Sequence, residues 1–355
     1  MKLPFDFFVF VMAGGSGERF WPLSRRRTPK HLLRIFSGRT LLEATLERVG
    51  GLTDSGRIFV LTNRFQRDAV LAAVPGLEPG QVVAEPSKRD TAPAVALAAG
   101  IARSRAPEAV MALVPADHLV NDVEAFRKNI RDAALQAAKF DGLVAVGSTP
   151  AFPATGFGYL ELGDDLPPGK GGTRFRRVKR FVEKPDLATA KKYMKSGRHA
   201  WNAGTFVWKV SSFLAECRRS APALAGFIEG FPRGRFAGYL AKHFEDLPQI
   251  SVDYAVMEKA RHVIAAQADY DWDDVGAWTS LARHLPADAG GNATRGRVIC
   301  RDSRENIVFS NGPAVALLGT EGLVVVAAGD AVLVCHRDRV QDIKKLFPAL
   351  PEDVL

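Results

Sequence analysis

The chain has 355 residues, of which 47% are apolar and 25% charged; this balance excludes intrinsic disorder and leaves room for one large packed domain plus a smaller one. A net charge of +9, from 48 Lys and Arg against 39 Asp and Glu, favours an anionic partner: nucleic acid, an acidic membrane or a phosphorylated small molecule. Three scattered cysteines, Cys217, Cys300 and Cys335, form no CxxC pair, which argues against a zinc site or a disulfide framework and predicts a reduced, cytoplasmic setting.

The apolar run over 5–13 has the length of a signal-peptide core. Asp6 interrupts it, however, and it leads straight into glycines, so it reads as a buried first strand. No apolar run approaches the roughly 20 residues that span a bilayer, and no membrane partner is expected. Short runs rich in Val, Ile, Leu and Phe at 7–13, 57–61, 81–84, 110–114 and 143–147 alternate with stretches of helical period near 40–50, 64–74, 91–104 and 121–139. This rhythm predicts an α/β fold, a Rossmann-like and mainly parallel sheet with helices on both faces. Such sheets bind ligands at the carboxyl ends of their strands. The rhythm loosens over 151–290. Short runs at 297–300, 306–309, 314–318, 322–327 and 331–335, separated by turn residues, then predict a small all-β unit closed by a helix over 339–347. The expected division is 1–288 and 289–355.

Candidate chemistry follows the strands. Ala13-Gly14-Gly15-Ser16-Gly17-Glu18-Arg19 comes directly after the first. Glycines there let backbone N–H groups approach phosphate oxygens, and Arg19 can pair with phosphate. Phe20 stands where a Rossmann fingerprint needs its third glycine, and GxxxxGK[ST] is absent; the nearest match, Gly163 to Lys170, has the wrong spacing and reads as a surface turn. Arg25, Arg26 and Arg27 read as a solvated basic face. Glu85 ends the third strand, and its carboxylate can accept the adjacent N–H donors that guanine has and adenine lacks; Asp90 and Thr91 suit a helix cap. Asp117 follows the fourth strand in Pro115-Ala116-Asp117-His118, and a second acidic cluster stands in Trp272-Asp273-Asp274-Val275-Gly276. Two carboxylates that converge suit Mg²⁺, with water and phosphate oxygens completing its shell. Asp273 reads as a helix cap or solvated acid, and His118 as a local hydrogen-bonding residue. A cation at Lys184 suits a sugar phosphate, while Glu183 and Asn202 suit sugar hydroxyls.

The stretch GGSGERFWPLSRRRTPK at 14–30, followed in order by EPSKRDTAPA, PADH, GFGY, FVEKP, WNAG and DVG, resembles the sugar-1-phosphate nucleotidyltransferases, specifically the mannose-1-phosphate guanylyltransferases. The resemblance spans residues 10 to 280. It implies a nucleotide site at Ala13, Gly14, Gly15, Gly17, Glu85 and Thr91, and a sugar-phosphate site at Gly158, Glu183, Lys184 and Asn202. It further implies phosphate neutralisation by Arg19 and Lys30, with Mg²⁺ on Asp117 and Asp274. The implied reaction joins GTP to mannose 1-phosphate by in-line attack on the α-phosphorus, giving GDP-mannose and pyrophosphate. The closing β segment resembles the truncated β-helix of that family and implies a homodimer; no isomerase domain is expected. Two positions depart from the family pattern: His31 stands in place of Gln and Asp90 in place of Asn. The rival readings are the same fold with glucose 1-phosphate or another nucleotide, a non-catalytic nucleotide-sugar sensor, and a nucleic-acid binder, for which no reading motif is present.

Overall fold

The computed structural model describes residues 3–36 and 38–355. A nine-stranded sheet forms its centre, in the order β3-β2-β1-β4-β8-β5-β9-β7-β6. The strands are β1 (Phe7–Met12), β2 (Ile58–Asn63), β3 (Val82–Glu85), β4 (Val110–Pro115), β5 (Leu143–Ser148), β6 (Tyr159–Leu166), β7 (Phe175–Val182), β8 (His199–Lys209) and β9 (Val263–Gln267). Side chains alternate across each strand, and in the central strands both sets are buried. Phe7, Val9 and Val11 face one core with Phe126 and Ile130, whereas Phe8 and Phe10 face the other with Val95 and Phe213. The first four helices are α1 (Leu41–Val49), α2 (Arg67–Ala73), α3 (Thr91–Arg105) and α4 (Val123–Ala137). Leu42 of α1 and Val70 of α2 share the first core with α4, and α3 packs into the second. The expected α/β sheet covered on both faces is therefore present.

β1, β2, β3 and β4 pair in parallel, as do β5 and β9. β8 joins the two sets by running antiparallel to both β4 and β5. The carboxyl ends of β1, β3 and β4 consequently open on one edge, which β8 crosses with Trp201 and Asn202.

Beyond residue 290 the chain coils into a β-helix-like unit. Its strands are β10 (Ala293–Arg295), β11 (Val298–Arg301), β12 (Ile307–Asn311), β13 (Val315–Leu318), β14 (Leu323–Ala328) and β15 (Ala331–His336). β10, β12 and β14 pair in parallel, β15 closes that sheet antiparallel, and β11 and β13 form a second parallel pair. The helix expected over 339–347 is instead a run of 3₁₀ turns, Arg337–Lys345. Only Val340 and Ile343 are buried there, and a spacing of three suits a three-residue turn.

One core joins the two units. Phe20, Trp21 and Trp278 pack with Ile307, Phe309, Val324 and Val326. The Trp278 ring lies 5.1 Å from that of Phe20 and 5.7 Å from that of Phe309. Trp278 Nε1 donates to the Trp21 carbonyl at 3.2 Å, so the WPLSR segment doubles as a seam. Arg25 also belongs to it: it donates to the carbonyls of Pro22 and Val354 and pairs with Asp330. The solvated reading of the arginine triplet fails at this residue, because a contact more than 300 positions away is invisible locally.

Candidate active site

The glycine loop leaves β1 where Ala13 is fixed. Its N–H donates to the Leu61 carbonyl at 2.7 Å, and its own carbonyl accepts from Thr62 Oγ1 at 2.9 Å. Gly14 and Gly15 then line a cavity of about 430 Å³, within the range of small-molecule sites. Gly17 turns the chain with φ 67°. A Cβ on it would lie 2.4 Å from Lys30 Cβ, so glycine here lets the Lys30 segment pack beneath the loop.

Lys30 is buried, and its ammonium donates to Asp117 Oδ2 at 2.8 Å and to the Asp274 carbonyl at 2.7 Å. The two acids are brought together by backbone: Leu119 and Asp273 exchange N–H···O bonds of 2.9 and 3.1 Å. Their loops are thereby stitched side by side, and both Asp117 and Asp274 line the cavity. Burial opposes the charge on Asp117, yet Lys30 and, more weakly, His118 hold its carboxyl down at about 2. Asp274 is pushed up to about 6 by burial, with Lys30 working against that and the charges of Asp273 and Asp117 adding to it. The two carboxyls are thus shifted in opposite directions, Asp117 towards the anion and Asp274 towards the protonated form.

Asp273 is fully occupied. It accepts from Arg283 at 2.7 Å, His284 at 2.7 Å and the Val275 N–H at 2.8 Å, which fixes the turn carrying Asp274. His118 accepts from Trp272 Nε1 at 3.1 Å, and burial lowers its pKa to about 4, leaving a neutral ring. His31 is buried beside Lys30, with its pKa likewise lowered to about 4 by burial and its Nε2 unpartnered among the described residues.

Glu85 sits at the far wall of the cavity, buried and 3.8 Å from where a Gly14 Cβ would be. Burial raises its pKa to about 8. Thr91 also lines the cavity, but its Oγ1 accepts from the Val252 N–H at 2.9 Å. Asp90 adopts φ 64° and caps α3 by accepting from the Thr91 N–H at 2.7 Å. With ψ at −170° this is a strained conformation for any side chain, and the cap bond to the Thr91 N–H is one that Asn could make as well.

On the opposite wall stand Gly158, Glu183 and Asn202. The Asn202 N–H donates to the Gly158 carbonyl at 2.8 Å, and a Cβ on Gly158 would strike Glu183 Oε2 at 2.6 Å. Lys184 lies just outside the wall and pairs with Glu183 at 2.6 Å. Arg19 is exposed and has no ion pair among the described residues. The cavity therefore gathers Gly14, Gly15, Glu85, Thr91, Asp117, Gly158, Glu183, Asn202 and Asp274 on its walls. Lys30 reaches two of these, whereas Ala13, Gly17, Arg19 and Lys184 stand behind or beside the walls.

Sequence reading missed Asp253, which lines the same cavity and accepts from Asn202 Nδ2 at 3.2 Å. Its only sequence signal, an acid after Ser251 at a helix start, reads as capping. Also missed was an aromatic cluster in which Phe157 lies 5.1 Å from Trp201 and 5.5 Å from Trp272.

Sheet, glycine loop and paired acids together define a nucleotidyltransferase, and the chain belongs to the Nucleotidyl transferase family, whose match covers residues 9–290. Residues 296–350 match the MannoseP isomerase/GMP-like beta-helix domain. The chain is 38% identical to the xanthan biosynthesis protein XanB of Xanthomonas campestris pv. campestris (strain B100), over 96% of this chain and 72% of that protein. It is 36% identical to the mannose-1-phosphate guanylyltransferase of Escherichia coli (strain K12), over 97% of this chain and 73% of that one. A crystal structure from Thermus thermophilus, described as a mannose-1-phosphate geranyltransferase, superposes with a TM-score of 0.87 at 36% identity, covering 97% of this chain and 99% of that one.

Proposed function

We propose that this enzyme joins GTP to mannose 1-phosphate, releasing pyrophosphate and GDP-mannose, with 1–288 as the catalytic unit and 289–355 as the β-helix unit. The observation that carries the reading is Lys30 bonded at once to Asp117 and to the Asp274 backbone beside the glycine loop. The identities to guanylyltransferases over nearly the whole chain support the choice of substrates.

The donor set suits Mg²⁺. Asp117 and Asp274 offer hard carboxylate oxygens on one wall, and Asp274 carries a raised pKa that a cation would lower. No group of three or more His, Cys, Asp or Glu able to hold an ion occurs among the described residues, which fits a metal that shares its shell with substrate phosphates. When bound, Mg²⁺ neutralises phosphate oxygens and aligns them.

The protein's own residues do the rest. A phosphate monoester has a second pKa of about 6, so the nucleophilic oxygen is already anionic and needs no general base. Catalysis then rests on alignment and charge neutralisation. Arg19 and Lys30 stabilise the departing pyrophosphate, the glycine loop cradles the nucleotide, and Glu85 reads guanine. Gly158, Glu183, Lys184 and Asn202 hold the sugar phosphate. We extend the reading to a cytoplasmic homodimer. In support, no helix among the described residues is long and apolar enough to cross a membrane, and Ile299, Leu318, Val332 and Val334 stand exposed on the β-helix.

The test is pyrophosphate release with Mg²⁺, measured for GTP, ATP, UTP and dTTP against mannose and glucose 1-phosphates. The reading requires GTP with mannose 1-phosphate to be the preferred pair. Preference for another pair overturns the substrate choice, and no release from any pair overturns the enzyme.

A further inference from the structure

The sugar wall contains more acid than its visible cation can balance. The Glu183 side chain is only 7% exposed and spends its charge on Lys184 at 2.6 Å, while Lys184 itself remains half exposed. Burial disfavours charge on Asp253, and the nearby charge of Glu183 disfavours it further. Asp253 occupies the first turn of the short helix Val252–Ala255, capped by Ser251. That helix is tied down twice to the start of α3: the Val252 N–H donates to Thr91 Oγ1 at 2.9 Å, and the Ala92 N–H donates to the Ile250 carbonyl at 3.1 Å. On the same wall, Asn202 Nδ2 donates to Asp253 Oδ1 at 3.2 Å. Apart from this amide, the charged neighbours of Asp253 are Glu183, Lys184 and Asp90. Phe157 and Trp272 line the cavity beside this wall.

A phosphate arriving at Lys184 draws its ammonium from Glu183. Two neighbouring carboxylates are then short of donors, and leaving buried acceptors unpaired is costly. A hexose supplies what is missing: several hydroxyl donors on one edge, and an apolar C–H face that suits aromatic side chains. A ligand without those hydroxyls leaves the acids unpaired. Discrimination is strongest when a site built to hydrogen-bond a group meets a ligand lacking it.

We infer that Asp253 is a specificity-determining residue that, fixed through Asn202 and Thr91, accepts a hydrogen bond from a ring hydroxyl of the hexose and so sets which sugar phosphate is taken. This inference rests on the sugar-phosphate reading of the site given above and adds to it a residue on a different element.

The experiment compares wild type with Asp253→Asn, which keeps the shape and the acceptor for Asn202, and with Asp253→Ser as a second variant. Calorimetry measures the binding of GDP-mannose and of GDP, so that the readout does not depend on turnover. Both variants weaken GDP-mannose by roughly tenfold or more and leave GDP within about twofold; in steady state, KM for mannose 1-phosphate rises, KM for GTP holds, and the ratio of kcat/KM between mannose and glucose 1-phosphates changes. Equal loss for GDP-mannose and GDP, or no loss for either, overturns the inference. If wild type binds GDP-mannose through Asp253 yet releases no pyrophosphate from any substrate pair, the reaction proposed above falls while the sugar-reading role stands.

Discussion

The ammonium of Lys30 lies 2.8 Å from the carboxylate of Asp117, 87 positions along the chain. Lys30 is buried and touches both acid-bearing loops, and the proposed reaction gives it the task of stabilising the departing pyrophosphate. Lys30→Ala should lower kcat by roughly 10²–10³-fold, the scale of losing one preorganised charge-stabilising group, with an unchanged far-ultraviolet circular dichroism spectrum. Near-normal turnover of a folded variant would contradict the role. Asp117 titrates below its ordinary value, so its share of stability is present above pH 3.8 and is lost as pH falls to about 2. The variant should lack that part of the acid limb in denaturation measured across this range.

Metal removal gives a second test. Excess EDTA should abolish pyrophosphate release, and added Mg²⁺ should restore it. Asp117→Asn and Asp274→Asn should stay inactive at Mg²⁺ concentrations that saturate wild type. Full activity in EDTA would remove the ion from the account.

Glu85 carries a prediction in the opposite pH direction. Its carboxyl is raised from 4.5 to about 8 by burial, so the folded state binds the extra proton within that window. The stability due to this group is complete below about pH 4.5 and lost as pH rises through about 8. Thermal unfolding of the ligand-free protein should show a fall over this window that Glu85→Gln reduces. In turnover, Glu85→Gln should cut the preference for GTP over ATP by about tenfold or more, the scale of a buried acceptor that no longer matches its donors. An unchanged preference would move guanine recognition elsewhere.

Gly17 gives a steric prediction. A Cβ there meets Lys30 Cβ at 2.4 Å and the Lys30 N at 2.9 Å, at a φ of 67°. Gly17→Ala should destabilise the fold by about 1–3 kcal/mol and depress kcat more than KM for GTP, since the displaced group is Lys30. Unfolding midpoints and steady-state kinetics measure both.

The parallel half of the sheet was legible because its strands are buried on both faces and so are continuous apolar runs, as at 7–12 and 110–114. β8 was not. Its start mixes His199 and Trp201 with Asn202, which lines the cavity, and that mixture hides an eleven-residue strand lying between two parallel sets. The motifs pointed to one edge of the sheet, and nine of the fourteen candidate site residues line one cavity. What local pattern could not reveal is contact over distance. Ala13 is held by Leu61 and Thr62, and Thr91 Oγ1 accepts from the Val252 N–H. Asp253 meets Asn202 across 51 positions. In each case a residue has a partner that only the fold supplies.

The aromatic seam ties the β-helix to the segments that carry the glycine loop and Asp274. Phe20 and Trp21 follow the glycine loop and Trp278 follows Asp274, yet all three are anchored on Phe309 and its neighbours. The segments that follow the glycine loop and Asp274 thus lean on a common abutment outside the sheet. Loosening that abutment should blur both segments together, and the two units should melt as one cooperative body.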